Sequence, residues 1–265
     1  MNDSCYYQYA FAQPDCRAQE IGPGVDARYA VELICDGPTA AVVSRIGLDR
    51  FDPDKLQGRT AEEIRWLGEI AARHNQIVCQ AADSSTVLPL RLGAVFRSQD
   101  SLQAALARCR PIVAAFLQQF RQRQEWGVKL YWQTSQREDP AGHAGPPSPH
   151  YSTAARTGTG YLAGKKVQLE DRRKLRAAVH QTVQTIEQRL SATAEHYCRL
   201  RTLTGELTGR TEDMVFNAAF LLSSATRESW LEMIERVRQD ICQAGLLLEL
   251  SGPWPPYHFC PSLEL

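Results

Sequence analysis

The sequence predicts an α+β protein built as two domains. The length of 265 residues suits one large domain or two ordinary ones. The apolar period switches several times along the chain between two and about 3.6. The second half reads strand, long helix, strand, strand, helix, strand, which is the βαββαβ order of a ferredoxin-like domain. We therefore expect an N-terminal mixed α/β domain over 1–123 and a C-terminal ferredoxin-like domain over 124–265, ending in an extended tail over 252–265.

The stretch SCYYQYAFA at 4–12 is a strand, rich in Tyr and Phe. IGPGVDA follows as a turn cluster. YAVELIC and TAAVVSRI are strands joined at Asp36-Gly37-Pro38, a hairpin signal weakened by the proline after the glycine. From Thr60 the period lengthens. Thr60 and Glu63 form a capping box, and Ile64, Leu67, Ile70 and Ala71 recur at helical spacing. The helix is expected to stop near His74–Asn75, with IVCQAA and VLPLRLGAVF extended after it. A second helix is expected from about Asp100 to Arg123, kinked or split at Pro111, which has no N–H to donate.

EWGVKLYWQ at 125–133 opens the second half as a strand. Residues 134–159 hold four prolines and almost nothing apolar, so they are predicted to form a disordered surface loop. A long helix from near Gly160 carries a stripe of Leu175, Val179, Val183, Ile186, Leu190 and Ala194. Cys198–Leu203 and MVFNAAFLLS are the next strands. Thr226 caps a helix whose buried face is Leu231, Ile234, Val237 and Ile241, and Gly245 stops it. LLLEL is the last strand. Beyond it, Pro253, Pro255 and Pro256 rule out helix and make the tail a stiff extended segment carrying Trp254 and Tyr257.

Thirty basic and thirty acidic residues give no formal net charge, which argues against nucleic acid as the main partner. No run of 18 apolar residues exists, so no lipid membrane is expected as a partner. MNDSCYYQYAF lacks the basic and apolar blocks of a signal peptide, which points to the cytoplasm. The eight cysteines contain no Cys-x-x-Cys pair and are expected to be reduced.

The search for chemistry yields little. IGPGVD lacks the third glycine and the lysine of phosphate-binding fingerprints, and Pro23 removes a donor, so it reads as a plain turn. There is no nucleophile elbow and no His-Glu-x-x-His. His180 and His196 share a helix sixteen residues apart, too far to hold one metal. No catalytic residue, cofactor site or metal ligand set is assigned, and an enzyme is not expected. KKVQLEDRRKLR at 165–176 is a solvated basic face, or a dock for an acidic partner or an RNA backbone. Arg91 draws more interest. In VLPLRLG, Leu88, Leu90 and Leu92 take one face while Pro89 and Arg91 share the other. Three readings stay open: an exposed sheet arginine, an arginine buried under the helix and paired with a carboxylate, or a group that binds a partner or ligand.

Taken in order, IGPGVD, TAAVVSRIGLDRF, EEIRWLGEIAARHNQIVCQAA, VLPLRLGAVFRS, EWGVKLYW, YLAGKK and LELSGPWPPYHF resemble the gas vesicle protein F/L family (GvpF/GvpL). The resemblance runs from about Tyr6 to Phe259, and the combination of VLPLRLG, EWGVKLYW and GPWPPYHF is specific. Leu92 stands where members commonly have Phe. The resemblance implies a non-enzymatic minor structural or assembly accessory protein without a cofactor. Its implied partners are the hydrophobic shell subunit and other gas vesicle accessory proteins. Its implied location is the gas vesicle within the cytoplasm, and a copy retained in the shell is expected on the gas-facing side.

Trp254 and Tyr257 then have two readings. Either the tail crosses to the first domain and clamps the two together, or the aromatics anchor the shell subunit. A ligand-binding regulatory protein on a ferredoxin-like scaffold is the alternative, and it needs a pocket with converging polar groups. A deep polar pocket around Arg91 favours that alternative. A flat apolar patch or an open strand edge favours the assembly protein.

Overall fold

The computed structural model describes residues 4–48, 60–133, 158–242 and 244–265. Contacts divide the chain into two compact units, Met1–Trp126 with Gly252–Leu265, and Gly127–Ser251. The sequence reading had placed the tail with the second half; by its contacts it groups with the first.

In the first unit, β1 (Ser4–Ala12) is the central strand, buried at every position but the first. A strand covered on both faces reads as a continuous apolar run, which fits CYYQYAFA. Its antiparallel neighbours are β3 (Thr39–Gly47) and β4 (Val87–Pro89), with β2 (Val31–Asp36) outside β3 and the two-residue β5 (Val95–Phe96) also on β1. The hairpin at Gly37-Pro38 forms, pairing Asp36 with Thr39. Gly37 has φ +60. A proline cannot follow it at positive φ, so the loop takes a II′-type path, in which proline at the second position is no obstacle.

Helix α1 (Ala61–Ser84) starts on the expected capping box, with Thr60 accepting from the Glu63 N–H and Glu63 reaching back to Thr60. It does not stop at His74–Asn75 but continues through IVCQAA. His74, Ile77, Val78 and Ala81 are its buried residues, and they recur at steps of three, one and three. Burial against Tyr7, Tyr9 and Ile46 outweighs the strand preference of Ile77-Val78. The extended reading of VLPLRLGAVF also shortens. Strand pairing stops at Pro89, Gly93 turns the chain with φ +94, and β5 resumes at Val95. Arg91 therefore sits in a loop, not on a strand.

Helix α2 (Gln99–Gln119) packs on the other face of β1, where Tyr6 Oη reaches Gln99. Pro111 neither splits nor ends it. The proline is on the exposed face, where water can reach the carbonyl left without its donor. Arg110 grips Asp36 at the end of β2 by two nitrogens, Nε at 2.9 Å and Nη2 at 2.6 Å.

The strands of the second sheet lie in the order β7 (His196–Arg199), β8 (Asp213–Ser223), β6 (Arg123–Trp132), β9 (Leu246–Trp254). Helix α3 (Gly158–Ser191) and helix α5 (Arg227–Cys242) alternate with these strands in the expected sequence; the one-turn α4 (Gly205–Thr208), which the sequence reading omits, ends on Gly209 at φ +67. The expected loop at 134–159 lies outside the described residues up to 157. The apolar stripe of α3 buries Val179, Val183, Ile186 and Leu190. Trp230, one residue before the expected Leu231, is fully buried, and its Nε1–H donates to the Leu190 carbonyl at 3.2 Å. No helix among the described residues is long and apolar enough to cross a membrane.

Trp230 should be the costliest single truncation in this unit. We expect Trp230→Ala to lower stability by about 3–5 kcal/mol. Trp230→Phe, which keeps most of the volume and leaves the Leu190 carbonyl with the Thr193 hydroxyl as donor, should cost roughly 0.5–1.5 kcal/mol. Urea unfolding of both variants against the parent checks the ranking.

Candidate functional site: the cavity beneath the C-terminal tail

Arg91 owes its position to a buried polar chain. Leu90 N–H donates to the Tyr9 carbonyl at 2.9 Å. His74, on α1, stands with Nε2 at 3.1 Å from the Leu90 carbonyl and Nδ1 at 2.9 Å from Tyr7 Oη. A carbonyl only accepts, so Nε2 carries the proton and Nδ1 accepts from the tyrosine hydroxyl. Gly93 N–H reaches the same Tyr7 oxygen at 3.4 Å. Burial pushes the His74 imidazolium down to a pKa of about 4, so the ring is neutral at physiological pH. Strand β1 and helix α1 thereby fix both ends of the Leu90–Gly93 turn, and Arg91 projects from it, exposed.

The tail forms the opposite wall. Gly252 has φ +129, and a Cβ there would stand 2.9 Å from the Glu125 carbonyl oxygen, so only glycine fits. Pro255 and Pro256 are buried. Tyr257 packs against the core around Tyr7 and Ile77, and its hydroxyl donates to Asn75 Oδ1 at 2.8 Å. Burial holds that phenol well above its ordinary pKa. Glu125, only 3% exposed, receives the His258 backbone N–H on Oε2 at 2.9 Å and faces His258 Nδ1 with Oε1 at 2.6 Å. The hydrogen bond to this carboxylate raises the His258 pKa. Cys260 Sγ approaches the Pro256 carbonyl at 3.1 Å, and burial pushes its thiol up to about 12, so it is unreactive.

Between the two walls lies a cavity of about 630 Å³, bounded by Ala71 and Asn75 of α1, the Pro89–Ala94 segment and the tail. Arg91 and Tyr257 both line it; Trp254 does not, and at 38% exposure it faces outward in part at the end of β9. Among the described residues Arg91 is the one charged side chain in the lining, which is otherwise mostly apolar. No group of three metal-binding side chains occurs among the described residues. Glu125, His258, His74 and Asn75 were absent from the sequence candidates. EWG and PPYHF held two of them, but a carboxylate and a histidine 133 positions apart carry no local pattern that pairs them.

IGPGVD is a turn whose donors are committed. Gly24 N–H goes to the Tyr29 carbonyl at 2.8 Å and Val25 N–H to Tyr9 Oη at 2.8 Å. A Cβ on Gly24 would meet Ser44 Oγ at 2.2 Å. Asp26 is buried, chelated by Arg28 and bonded to Gly47 N–H, which holds its pKa down to about 2.

The two histidines set opposite limbs of a pH profile. His74 has a depressed folded pKa, so its contribution is intact above the unfolded value of about 6.5 and is lost as pH falls toward about 4. His258 has a raised one, so its contribution is full below about 6.5 and is lost as pH climbs through the folded pKa. We expect His74→Gln to flatten the acid limb of urea-unfolding stability between pH 6.5 and 4. His258→Gln should flatten the alkaline limb and leave the acid one. Deuterium exchange at the His258 amide should quicken on the alkaline side in the parent.

Comparison with known proteins completes the picture. The family model described as "Gas vesicle synthesis protein GvpL/GvpF" matches residues 5–261. Gas vesicle protein L from Streptomyces sp. (strain CB03234) is 27% identical over 267 residues, covering 99% of this chain and 95% of that protein. The crystal structure of gas vesicle protein GvpF from Anabaena sp. PCC7120 superposes with a TM-score of 0.65 at 17% identity, covering 98% of each chain. GvpF from Microcystis aeruginosa gives 0.62 at 13% identity, covering 97% of this chain and 99% of that one. These structures share the mixed α+β fold. With the family model spanning almost its whole length, this chain belongs to the GvpL/GvpF family of gas vesicle synthesis proteins.

Proposed function

We propose that this protein is a non-enzymatic minor structural or assembly component of gas vesicles that works by binding the hydrophobic shell subunit. The observation that carries the reading is the family match over residues 5–261, to which the tail-walled cavity adds a surface. The cavity brings Arg91 and Tyr257 together in a mostly apolar lining, and it is built from the stretches that carry the family resemblance. Trp254, partly exposed at the end of β9, supplies a large rigid contact surface at low entropic cost. Gas vesicle protein L is the name of a relative matched over nearly the full chain, which supports a gas vesicle location. Other gas vesicle components are the natural further partners, and we place a retained copy on the gas-facing side of the shell.

We read the two compact units as two domains and the second as ferredoxin-like. Support comes from the strand–helix alternation and from a strand order of second, third, first, fourth. A second functional reading, a ligand-binding regulator, is favoured by one observation: Arg91, Asn75 and the Tyr257 hydroxyl converge on the same cavity.

Co-purification with the shell subunit, run beside thermal unfolding, separates these readings. We expect the parent to co-purify. Trp254→Ala with Tyr257→Ala should lose the partner. If the melting temperature holds, the tail is a contact surface; if it falls in step, the tail acts through the fold. A folded parent that ignores the shell subunit would sink the assembly reading and advance the regulator.

A further inference from the structure

The cavity at Arg91 does not end at Ala94. A second cavity, also of about 630 Å³, runs on between β5 and α2, and the two share Gly93, Ala94 and Leu265 as lining. They are two halves of one groove, divided by the last residue of the tail. The charge along it is one-sided. Arg91 lines the first half, Arg97 and Arg108 line the second, and among the described residues no acidic side chain lines either. In a chain whose sixty charged side chains cancel, that segregation is a local electrostatic feature. Arg91 and Arg97 make no hydrogen bond or ion pair with any described residue, and both are exposed. Between the arginines the walls are apolar, with Leu90 and Leu92 in one half and Phe96 and Ala105 in the other.

The groove already holds a peptide. Pro261–Leu265 runs through it, with Leu263 and Leu265 among the lining, and its polar contacts are on backbone: Arg108 Nε–H and the Cys109 thiol both approach the Glu264 carbonyl oxygen, at 3.1 and 3.6 Å. The carbonyl contact does not depend on which side chain the residue bears, so another segment with apolar side chains at the leucine positions can take the same place. The resident segment reads Pro-Ser-Leu-Glu-Leu, with leucines flanking an acid.

From this we infer that the groove between the β4–β5 segment and α2 is a peptide-binding site for an extended partner segment that alternates apolar and acidic side chains, and that Pro261–Leu265 is its exchangeable resident. The acids of the incoming segment pair with Arg91 and Arg97, and its apolar side chains enter the two cavities. This rests on the reading that the protein works by protein contact, and it adds the surface and the chemistry of the partner.

The test uses the full chain and a fluorescein-labelled peptide repeating Pro-Ser-Leu-Glu-Leu, read by anisotropy. In the parent the resident tail competes. Leu263→Ser with Leu265→Ser weakens the resident and should raise peptide affinity by at least about tenfold. Adding Arg91→Glu and Arg97→Glu should reverse that gain by at least about tenfold, and binding should weaken with added salt. Both arginines are exposed, so their reversal should leave the melting temperature unchanged. The inference is overturned if the loosened chain fails to bind the peptide, or if binding ignores the arginine reversal and the salt. It is also overturned in favour of a second copy if light scattering shows the loosened chain pairing with itself through this groove. Shell-subunit co-purification that survives the arginine reversal leaves the proposed function standing while removing this site from it.

Discussion

A neutral imidazole buried between two hydrogen-bond partners organises the first unit. His74 comes from the middle of α1, Tyr7 from the central strand and Leu90 from the loop after β4, and one ring ties all three. The arrangement works because the ring has one donor and one acceptor when neutral, and each side offers the complementary group. Protonation would leave Nδ1–H facing a hydroxyl that must then turn away from its role as donor. Burial prevents this by keeping the pKa near 4. Without that tie the Leu90–Gly93 turn, and Arg91 with it, would have no fixed place against the helix.

The tail depends on a second buried polar group. Glu125 has its two oxygens met by the backbone and the ring of His258. Burying a carboxylate is costly unless it is paired, so the strand that carries Glu125 holds a place that only the docked tail fills well. Tyr257 adds an apolar ring against the core and a hydroxyl bond to Asn75 of α1. The prolines on either side limit the number of shapes from which the tail must be ordered, which lowers the entropic cost of docking. Together these features make one wall of a cavity from a segment whose regular structure after β9 is a single 3-10 turn at Tyr257–Phe259. The following residues, Pro261–Leu265, are held by polar contacts to the Glu264 carbonyl and by Leu263 and Leu265 in the cavity lining.

Much of the fold was legible in local patterns. The Thr60–Glu63 box, the hairpin at Gly37, the α3 stripe from Val179 to Leu190 and the strand–helix alternation of the second half formed as read. Errors came where a neighbour in space outweighed a preference in sequence. Ile77-Val78 reads as strand from its branching, yet it continues α1 because that face meets Tyr7 and Tyr9. VLPLRLG reads as one alternating strand, yet Pro89 and Gly93 break it, and the break is what puts Arg91 in a loop. Of the candidate site residues, Arg91 and Tyr257 were picked out from the sequence, but their meeting in one cavity was not.

The sequence by itself determined the helix starts, the α+β class and, through a set of stretches spread over the chain, the family. These follow from short-range rules: capping, period and the stereochemistry of glycine and proline. Tertiary structure alone decided the pairings that build the site. Glu125 with His258, Tyr7 with His74, Tyr257 with Asn75 and Arg108 with the Glu264 carbonyl join residues 67 to 182 positions apart. Each pairing is a matter of which donor an acceptor meets once the strands and helices have packed. Burial makes that choice consequential, because a polar group removed from water must find a partner within the protein.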